Sequence, residues 1–349
     1  MEEFSKSLDK IWETRQLTNF GHFHNKFEQK IMRCLDNKNV SLVNNATNGL
    51  IIAQKALGFK NEIITTPFTF IATAHSIKWN NFSPIFVDTD SKIGNLDPNR
   101  VEEAINKKTG GILAVHNYGI PGDVKGLKEI ADKYNIPLIY DAAPSFGSRL
   151  KGRTILEYGD ISIVSFHATK VLTTMEGGAI ISKTRQLKNK IDKMRNFSIV
   201  NEETIEDIGT NAKMNEIESA MGLIQLKYLN RNIKARKKVF DEYYKHLKNI
   251  EKIRLIKLNN NLEYNYAYLP IFFRNGFKDR EEKYKLLANN GIYCRKYWYP
   301  LITHHPIYSN SKNYNLSNAT NLSRSVLSLP IYPGLQKRVI RKITNLISQ

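Results

Sequence analysis

Three side chains that could carry chemistry occur within a short part of the chain. Asp141 follows the apolar run 136–140, and Ser165 and Lys170 follow the apolar run 161–164. A lysine amine can bond to an aldehyde, a carboxylate can hold a proton on a ring nitrogen, and a hydroxyl can bind phosphate. Pyridoxal phosphate (PLP) has all three needs, so the order of these residues predicts a PLP site.

A turn near the amino terminus could add phosphate ligands. Ala46 and Thr47 lie between an apolar stretch and a helix-like run at 50–57. Backbone N–H groups at a helix N-terminus bind anions. Polar residues before a helix are also common as ordinary caps, so the turn alone leaves both interpretations open.

Longer segments resemble a known family. Ser-Phe-His-Ala-Thr-Lys at 165–170, followed by Glu-Gly-Gly-Ala at 176–179, resembles the lysine segment of the DegT/StrS sugar aminotransferases. These are fold-type I PLP enzymes that act on nucleotide-linked ketosugars. The resemblance extends over nearly the whole chain, and the other matching segments are 17–21, 44–50, 66–73, 84–88, 211–216 and 329–330.

The resemblance implies a role for each of seven residues. Lys170 would hold the cofactor covalently and move protons, and Asp141 would face the pyridinium nitrogen; these are the two expected catalytic residues. The other expected cofactor-binding residues are Ala46, Thr47 and Ser165 at the phosphate, Phe70 against the ring, and Asn211 at the phosphate of the neighbouring subunit's cofactor. Phe70 could instead be a core residue, and Asn211 could instead cap the helix that follows.

Two positions need separate comment. Many relatives have His or Gln after Asp-Ala-Ala, where the side chain can reach the phenolic oxygen of the cofactor, but this chain has Pro144, which has no donor. His167 is interpreted as a supporting residue behind the site. In a dehydratase branch of the superfamily a histidine replaces the lysine, and because Lys170 is present here, we expect transamination.

The elements that must position these residues are suggested by the apolar runs. Runs of strand length occur at 62–65, 84–87, 111–115, 137–140, 161–164 and 178–181, and several lie between helix-like stretches such as 99–106 and 124–134. This pattern predicts an α/β fold with a mainly parallel sheet. In such sheets ligands bind beyond the carboxyl ends of the strands. The resemblance implies the fold of aspartate aminotransferase, with a large PLP-binding domain at 1–235 and a smaller α+β domain at 236–349. The boundary near 235 falls inside or just after a helix predicted over 215–247.

Composition narrows the class of protein. The chain has 349 residues, 41% of them hydrophobic, and two distant cysteines, Cys34 and Cys294, that match neither a disulfide framework nor a metal site. No signal peptide or transmembrane run is present, so we expect a soluble cytoplasmic protein without a membrane partner. The net charge of +19 leaves nucleic-acid binding open, but the basic residues are spread along the chain and no nucleic-acid partner is predicted.

The expected function follows from the resemblance. It implies transfer of an amino group from L-glutamate to C4 of dTDP-4-keto-6-deoxy-D-glucose, with PLP and its amine form as cofactor, in a homodimer with shared active sites. Such sugars belong to surface polysaccharides, including the O-antigen of lipopolysaccharide. The alternatives are a C3 aminotransferase acting on a dTDP-3-keto-6-deoxyhexose and a non-enzymatic PLP-binding or basic regulatory protein.

Overall fold

The computed structural model describes residues 2–349 of the chain. Within this range it has eleven α-helices: α1 (Glu2–Thr14), α2 (His22–Leu35), α3 (Ala46–Ala56), α4 (Ile71–Trp79), α5 (Pro98–Ala104), α6 (Val124–Tyr134), α7 (Arg185–Met194), α8 (Glu216–Leu247), α9 (Phe277–Asn289), α10 (Ser317–Ser325) and α11 (Lys337–Ser348). No helix within this range is long and apolar enough to cross a membrane.

The same residues form fifteen strands. They are β1 (Val40–Val43), β2 (Glu62–Thr65), β3 (Ser83–Phe86), β4 (Thr109–Val115), β5 (Leu138–Asp141), β6 (Arg149–Leu150), β7 (Arg153–Thr154), β8 (Ile161–Ser165), β9 (Gly178–Ser182), β10 (Ile199–Asn201), β11 (Thr204–Ile205), β12 (Ile253–Leu255), β13 (Leu262–Glu263), β14 (Leu269–Phe273) and β15 (Val326–Leu329).

Seven of these strands form the central sheet, in the order β1-β9-β8-β5-β4-β2-β3. The pairs β2–β3, β2–β4, β4–β5 and β5–β8 are parallel, whereas β9 runs antiparallel to both of its neighbours. The sheet is therefore mixed but mainly parallel, as the apolar runs predicted. The carboxyl ends of β4, β5 and β8 meet at one edge.

The central sheet is covered on both faces, which explains its continuous apolar runs. On one face, Ile139 of β5 packs in a cluster that includes Leu50 of α3 and Ile191 of α7. On the other face, Leu138 belongs to a larger cluster with Phe27 of α2 and residues of α5, α6 and α8. Alternate residues of one strand thus enter two different cores.

The predicted elements lie close to the observed ones. The strand 62–65 and the helix 124–134 have the predicted ends, and the other predicted strands shift by one or two residues. The helix predicted over 99–106 is α5, which begins with Pro98 and ends earlier, at Ala104. The fold-type I architecture predicted from the resemblance is confirmed by the solved structures described below.

The long helix α8 leads from the central sheet to a second, smaller sheet. That sheet has the order β12-β14-β15, and both of its strand pairs are antiparallel. Helices α9, α10 and α11 lie in the same part of the sequence. Its core includes Leu269, Ile271 and Leu327 together with Tyr243 of α8 and Ile343 of α11. The boundary near residue 235 lies inside α8 and stays a prediction.

Candidate active site

Two neighbouring parallel strands deliver the first site residues. β5 ends at Asp141 and β8 ends at Ser165, with Asp141 paired to Ile163 across the sheet. Because the strands are parallel, their carboxyl ends open at the same edge, where ligands of such sheets bind. Lys170 lies in the turn that follows β8, and its backbone N–H donates to the carbonyl of His167 at 2.9 Å.

A cavity of about 260 Å³ lies at this edge. Six of the seven predicted site residues line it: Ala46, Thr47, Phe70, Asp141, Ser165 and Lys170. Asn211 does not line it. The structure therefore brings together all the residues expected from one subunit and leaves out the one residue expected to serve a neighbouring subunit.

Asp141 is buried, with 5% of its surface exposed. Its Oδ2 accepts a hydrogen bond from Thr73 Oγ1 at 2.7 Å, and its Oδ1 accepts one from the Ala143 N–H at 3.1 Å. Burial raises the pKa of Asp141, and the two hydrogen bonds and the charge of Lys170 only partly oppose this. A carboxylate held in this way is stabilised by a nearby cation, which a protonated pyridine nitrogen would be.

The amine of Lys170 contacts the smaller sheet. Its Nζ donates a hydrogen bond to Tyr268 Oη at 3.2 Å and lies 5.6 Å from the centre of the same ring. Tyr268 directly precedes β14, and its ring lies edge-on to those of Tyr118 and Tyr297. Residues from both sheets therefore meet at the lysine.

The opposite end of the cavity is suited to an anion. Helix α3 begins at Ala46, and its N-cap Asn45 accepts from the Asn48 N–H at 2.8 Å. The remaining N–H groups of this first turn, with the nearby Ser165 hydroxyl, form a place for a phosphate. Gly178 allows the close approach of β9, since a Cβ there would lie 3.0 Å from the nitrogen of Ala46.

Phe70 lies at the cavity wall rather than in the core. It is 56% exposed, and its ring centre is 5.7 Å from that of Trp298. Trp298 is fixed in turn by a hydrogen bond from its Nε1 to Asn117 Oδ1 at 3.0 Å. The interpretation of Phe70 as an ordinary core phenylalanine is therefore wrong, and its ring is free to pack against a ligand.

Asn211 is exposed and precedes α8 by several residues. Its Oδ1 accepts a hydrogen bond from Lys213 Nζ at 2.8 Å. The N-cap of α8 is Asn215, which forms a capping box with Glu218. Asn211 therefore does not cap α8, and its expected role at a neighbouring subunit's cofactor stays a prediction.

His167 and Pro144 both line the cavity. The ring of His167 bonds through Nδ1 to Thr169 Oγ1 at 2.9 Å, and its Nε2 lies 3.6 Å from Glu176 Oε1. The carbonyl of Pro144 accepts from Asn265 Nδ2 at 2.7 Å. His167 is thus held beside Lys170 at the cavity wall rather than behind the site, where the sequence analysis had placed it. The carbonyl of Pro144 fixes the loop after β5.

Several lining residues were missed by the sequence analysis. Tyr268, Tyr297 and Trp298 come from the part of the chain that follows α8, where the sequence analysis identified no site residue. His116 follows β4 and stacks on Tyr140 with ring centres 4.2 Å apart; burial lowers its pKa to about 3, which keeps the ring neutral. The position of His116 at the end of an apolar strand was the one signal that could have identified it.

The donor set fits PLP. A buried carboxylate, an amine, a helix N-terminus with a hydroxyl, and an exposed aromatic ring border one cavity, and each matches a different part of the cofactor. Within residues 2–349 no group of three or more His, Cys, Asp or Glu side chains is arranged to hold a metal ion.

Comparison with known proteins gives consistent results. A family model described as the DegT/DnrJ/EryC1/StrS aminotransferase family matches residues 1–348. The chain is 40% identical over 351 residues to a dTDP-4-amino-4,6-dideoxy-D-glucose transaminase of Shigella dysenteriae, covering 100% of this chain and 96% of that protein. It is 41% identical to the transaminase of the same name from Escherichia coli, covering 99% and 95%.

Solved structures agree with these relatives. The structure of DesI in the presence of its TDP-sugar product superposes with a TM-score of 0.95 at 28% identity, covering 99% of this chain and 89% of that one. PseC of Helicobacter pylori, an aminotransferase involved in the biosynthesis of pseudoaminic acid, superposes with a TM-score of 0.92 at 25% identity, covering 99% and 95%.

Proposed function

Because the chain belongs to the DegT/DnrJ/EryC1/StrS aminotransferase family, we propose that it transfers an amino group from L-glutamate to C4 of dTDP-4-keto-6-deoxy-D-glucose. The chain is a PLP-dependent nucleotide-sugar aminotransferase; the sugar, the position and the donor are the proposal. The observation that carries it is the 40% identity, over the full chain, to a dTDP-4-amino-4,6-dideoxy-D-glucose transaminase.

The residues of the cavity can perform this work. Bound PLP supplies an aldehyde for the amino group and a ring that withdraws electrons from the reacting carbon. Asp141 would keep the ring nitrogen protonated, since its buried carboxylate is stabilised by a cation there. Lys170 would hold the cofactor. It would then act as general base and general acid for the proton that moves between Cα of the amino donor and the aldehyde carbon of the cofactor.

The remaining residues bind and orient. The first turn of α3 and Ser165 would bind the phosphate, and Phe70 would pack against the ring. Tyr268 would keep the amine of Lys170 in place through its hydrogen bond. The walls formed by Trp298 and Tyr297 narrow the cavity on the side of the smaller domain and would exclude water from the reacting atoms.

Further parts of the proposal concern the oligomeric state and the cellular setting. We infer a homodimer with shared active sites, acting in the cytoplasm on sugars for a surface polysaccharide such as the O-antigen of lipopolysaccharide. Neither a C3 aminotransferase nor a non-enzymatic regulator is favoured. The named relatives are 4-amino sugar transaminases, and the cavity holds both a lysine and a buried aspartate.

The test is product identification. The purified protein, loaded with PLP, should convert dTDP-4-keto-6-deoxy-D-glucose and L-glutamate to the 4-amino sugar and 2-oxoglutarate, with NMR locating the new amine at C4. The dTDP-3-keto-6-deoxyhexose should react at least tenfold more slowly in kcat/KM. Lys170→Ala serves as the control without turnover. Faster reaction of the 3-keto sugar would replace the proposal by C3 amination, and no reaction with either would refute it.

A further inference from the structure

A second cavity lies away from Lys170, beside the smaller sheet. Its volume is about 570 Å³, and the residues that line it come from β12, the end of β14, the turn 274–276, the start of α9, α10 and the loop at Ser91. Three arginines line it, Arg254, Arg274 and Arg324, and among residues 2–349 no Asp or Glu does. No residue lines both this cavity and the one around Lys170. We call it the arginine cavity.

Aromatic rings, not carboxylates, hold two of these arginines. The guanidinium carbon of Arg254 lies 4.2 Å from the centre of the Phe272 ring, and that of Arg324 lies 5.4 Å from the centre of Phe277. Arg254 Nη1 also donates a hydrogen bond to the carbonyl of Lys92 at 2.8 Å, which fixes the position of the guanidinium group. Stacking orients a guanidinium while leaving N–H groups at its edge for other acceptors.

The positive charge of the arginine cavity is only partly neutralised, since Asp90 acts on Arg254 from outside the cavity. Within the described part of the chain, none of its three arginines forms an ion pair, although seventeen pairs of Lys or Arg with Asp or Glu occur elsewhere. Burial lowers the pKa of Arg254, the charge of Asp90 opposes this, and repulsion from Arg274 adds to the lowering. An anion placed among these arginines would remove this repulsion.

A fourth arginine lies behind the cavity wall. Arg280 is 0% exposed, and its guanidinium carbon is 5.2 Å from the ring centre of Phe277, on which Arg324 also lies. Neither its Nη1 nor its Nη2 has a hydrogen-bond partner, and its nearest carboxylate is Glu281, 3.1 Å from Nε. Because Glu281 and the ring of Tyr299, 4.2 Å away, offset much of its charge, Arg280 adds only modestly to the positive potential of the wall.

The start of α9 adds backbone donors. Gly276 precedes this 13-residue helix, adopts a left-handed φ of +68°, and offers no side chain to cap the first N–H groups. Gly276 and Phe277 both line the arginine cavity. The N-terminus of a helix of this length carries a partial positive charge that favours anions, and Asp279 in the first turn, which accepts from Asn275 Nδ2 at 2.9 Å, offsets part of it.

We propose that the arginine cavity binds a phosphorylated small molecule through its phosphate or pyrophosphate group. Arg274 and Arg324 are exposed and unpaired, and the planar donor edge of an arginine matches two phosphate oxygens at once. The volume of about 570 Å³ exceeds what a phosphate needs and lies within the range of small-molecule sites. A nucleoside diphosphate and free pyrophosphate share the chemistry that this cavity recognises.

Calorimetric titration of the PLP-loaded protein tests this proposal, because the cofactor then fills the phosphate site beside α3. Inorganic pyrophosphate is the main probe, with inorganic phosphate, dTDP and thymidine as further arms. The double variant Arg274→Ala/Arg324→Ala removes the two exposed arginines, and Arg341→Ala, an exposed arginine on α11, is the matched control. No amino donor or sugar is present, so the result does not depend on the proposed transamination.

We expect pyrophosphate to bind the wild type, with affinity that falls as salt rises, and to bind the double variant at least tenfold more weakly. Arg341→Ala should stay within twofold of the wild type, and Arg324→Lys should lie between wild type and the double variant. Binding of dTDP that is tighter than that of pyrophosphate and needs the two arginines would identify a nucleotide as the ligand. Absence of pyrophosphate binding at millimolar concentration, or equal binding by the double variant, would overturn the proposal.

Discussion

Lys170 is the point at which the two sheets meet. Its amine donates a hydrogen bond to Tyr268, which directly precedes β14, the central strand of the smaller sheet. Its backbone belongs to the turn after β8. Any shift of the smaller sheet relative to the central one therefore changes the environment of this amine. The position of the proton-carrying group is set by both parts of the chain.

Tyr268→Phe should slow catalysis without loss of cofactor. The change removes the acceptor of the Lys170 hydrogen bond but keeps the ring, and a hydrogen bond to a charged group contributes roughly 1.5–3 kcal/mol, which corresponds to about a 10- to 150-fold fall in kcat. The pH profile of kcat should shift as well. Tyr266→Phe is the matched control, since Tyr266 packs on Phe240 and does not line the cavity. An unchanged kcat and pH profile would show that Tyr268 only fills space.

Asp141→Asn should retain the fold and lose most of the activity. The amide can still bond to Thr73 but carries no charge to keep the ring nitrogen protonated, and loss of one such electrostatic partner costs roughly 3–4 kcal/mol, or about 10²–10³ in kcat. Steady-state rates with matched cofactor content provide the measurement. Thr73→Ser, which retains the hydroxyl, should stay within tenfold of the wild type. Near-normal turnover in Asp141→Asn would mean that another residue holds the ring.

The predictable part of the site is the part that is local in sequence. Asp141, Ser165 and Lys170 each follow an apolar strand, so their types and order were sufficient to place them at one sheet edge. Tyr268 and Trp298 reach the same cavity only through the packing of the chain beyond α8 against the central sheet, and no short-range pattern carries that information. A tyrosine-rich segment is as typical of a hydrophobic core as it is of a binding site.

At the scale of elements, α8 is the connection between the two sheets. Its 32 residues begin with a capping box, in which Asn215 accepts from the Glu218 N–H at 2.8 Å and Glu218 accepts from the Asn215 N–H at 3.2 Å. The first turn also holds Glu216, which is buried and accepts from the N–H groups of Phe23 and His24, both at 2.8 Å. The start of α8 therefore fixes α2 as well.

Asn215→Ala should lower the free energy of unfolding by about 1 kcal/mol, since an N-cap that is lost leaves helix N–H groups without a partner. Chemical denaturation followed by circular dichroism would measure the difference. Asn215→Asp keeps an accepting oxygen and should be close to the wild type. Asn211→Ala is the second control, because Asn211 precedes the helix and does not cap it. A loss in Asn211→Ala as large as in Asn215→Ala would contradict this assignment.

The elements that sequence could predict were the long and buried ones. Six of the seven strands of the central sheet were identified from their continuous apolar runs, whereas β1, which is equally buried, was not predicted as a strand. Strands β6, β7, β11 and β13 have two residues each, which is too few to show the alternation of apolar and polar residues that indicates a strand. Helix α10 begins where Asp88 accepts from the N–H groups of Asn318 and Ala319, a cap supplied from a distant part of the chain.

At the scale of the whole molecule, buried histidines make stability depend on pH. Burial, together with the charge of Arg195, lowers the pKa of His24 to about 4, and burial lowers that of His116 to about 3. Between these values and the ordinary 6.5, each of these histidines binds more protons in the unfolded chain, so their contribution to the free energy of unfolding falls as the pH is lowered from about 6.5 toward 4. Burial raises the pKa of Glu218 to about 7, and that group opposes the histidines over part of this range. Denaturation at pH 7 and pH 5 should show this, and His24→Asn should show a smaller difference. If the wild type and His24→Asn show the same difference in the free energy of unfolding between pH 7 and pH 5, His24 does not contribute to this pH dependence.

The proposed dimer is suggested by an apolar hairpin close to Asn211. β10 and β11 form this hairpin, and Ile205 and Ile208 at its base are 69% and 86% exposed. Exposed apolar groups of this size in one segment are typical of a surface that another chain covers. Because Asn211 lies outside its own cavity, we infer that it binds the cofactor phosphate of the partner subunit, while Lys170 serves its own subunit's site.

Mixed dimers test this arrangement. In a heterodimer of one Lys170→Ala chain and one Asn211→Ala chain, one site carries both defects and the other carries neither, so two impaired preparations should regain activity when they are unfolded together and reassembled. With random pairing half of the dimers are mixed and half of their sites are intact, so recovery should approach roughly a quarter of wild type, as two-fold symmetry requires. Each parent reassembled alone is the control. Activity no higher than the sum of the parents, despite demonstrated subunit exchange and an impaired Asn211→Ala parent, would show that Asn211 acts only within its own chain.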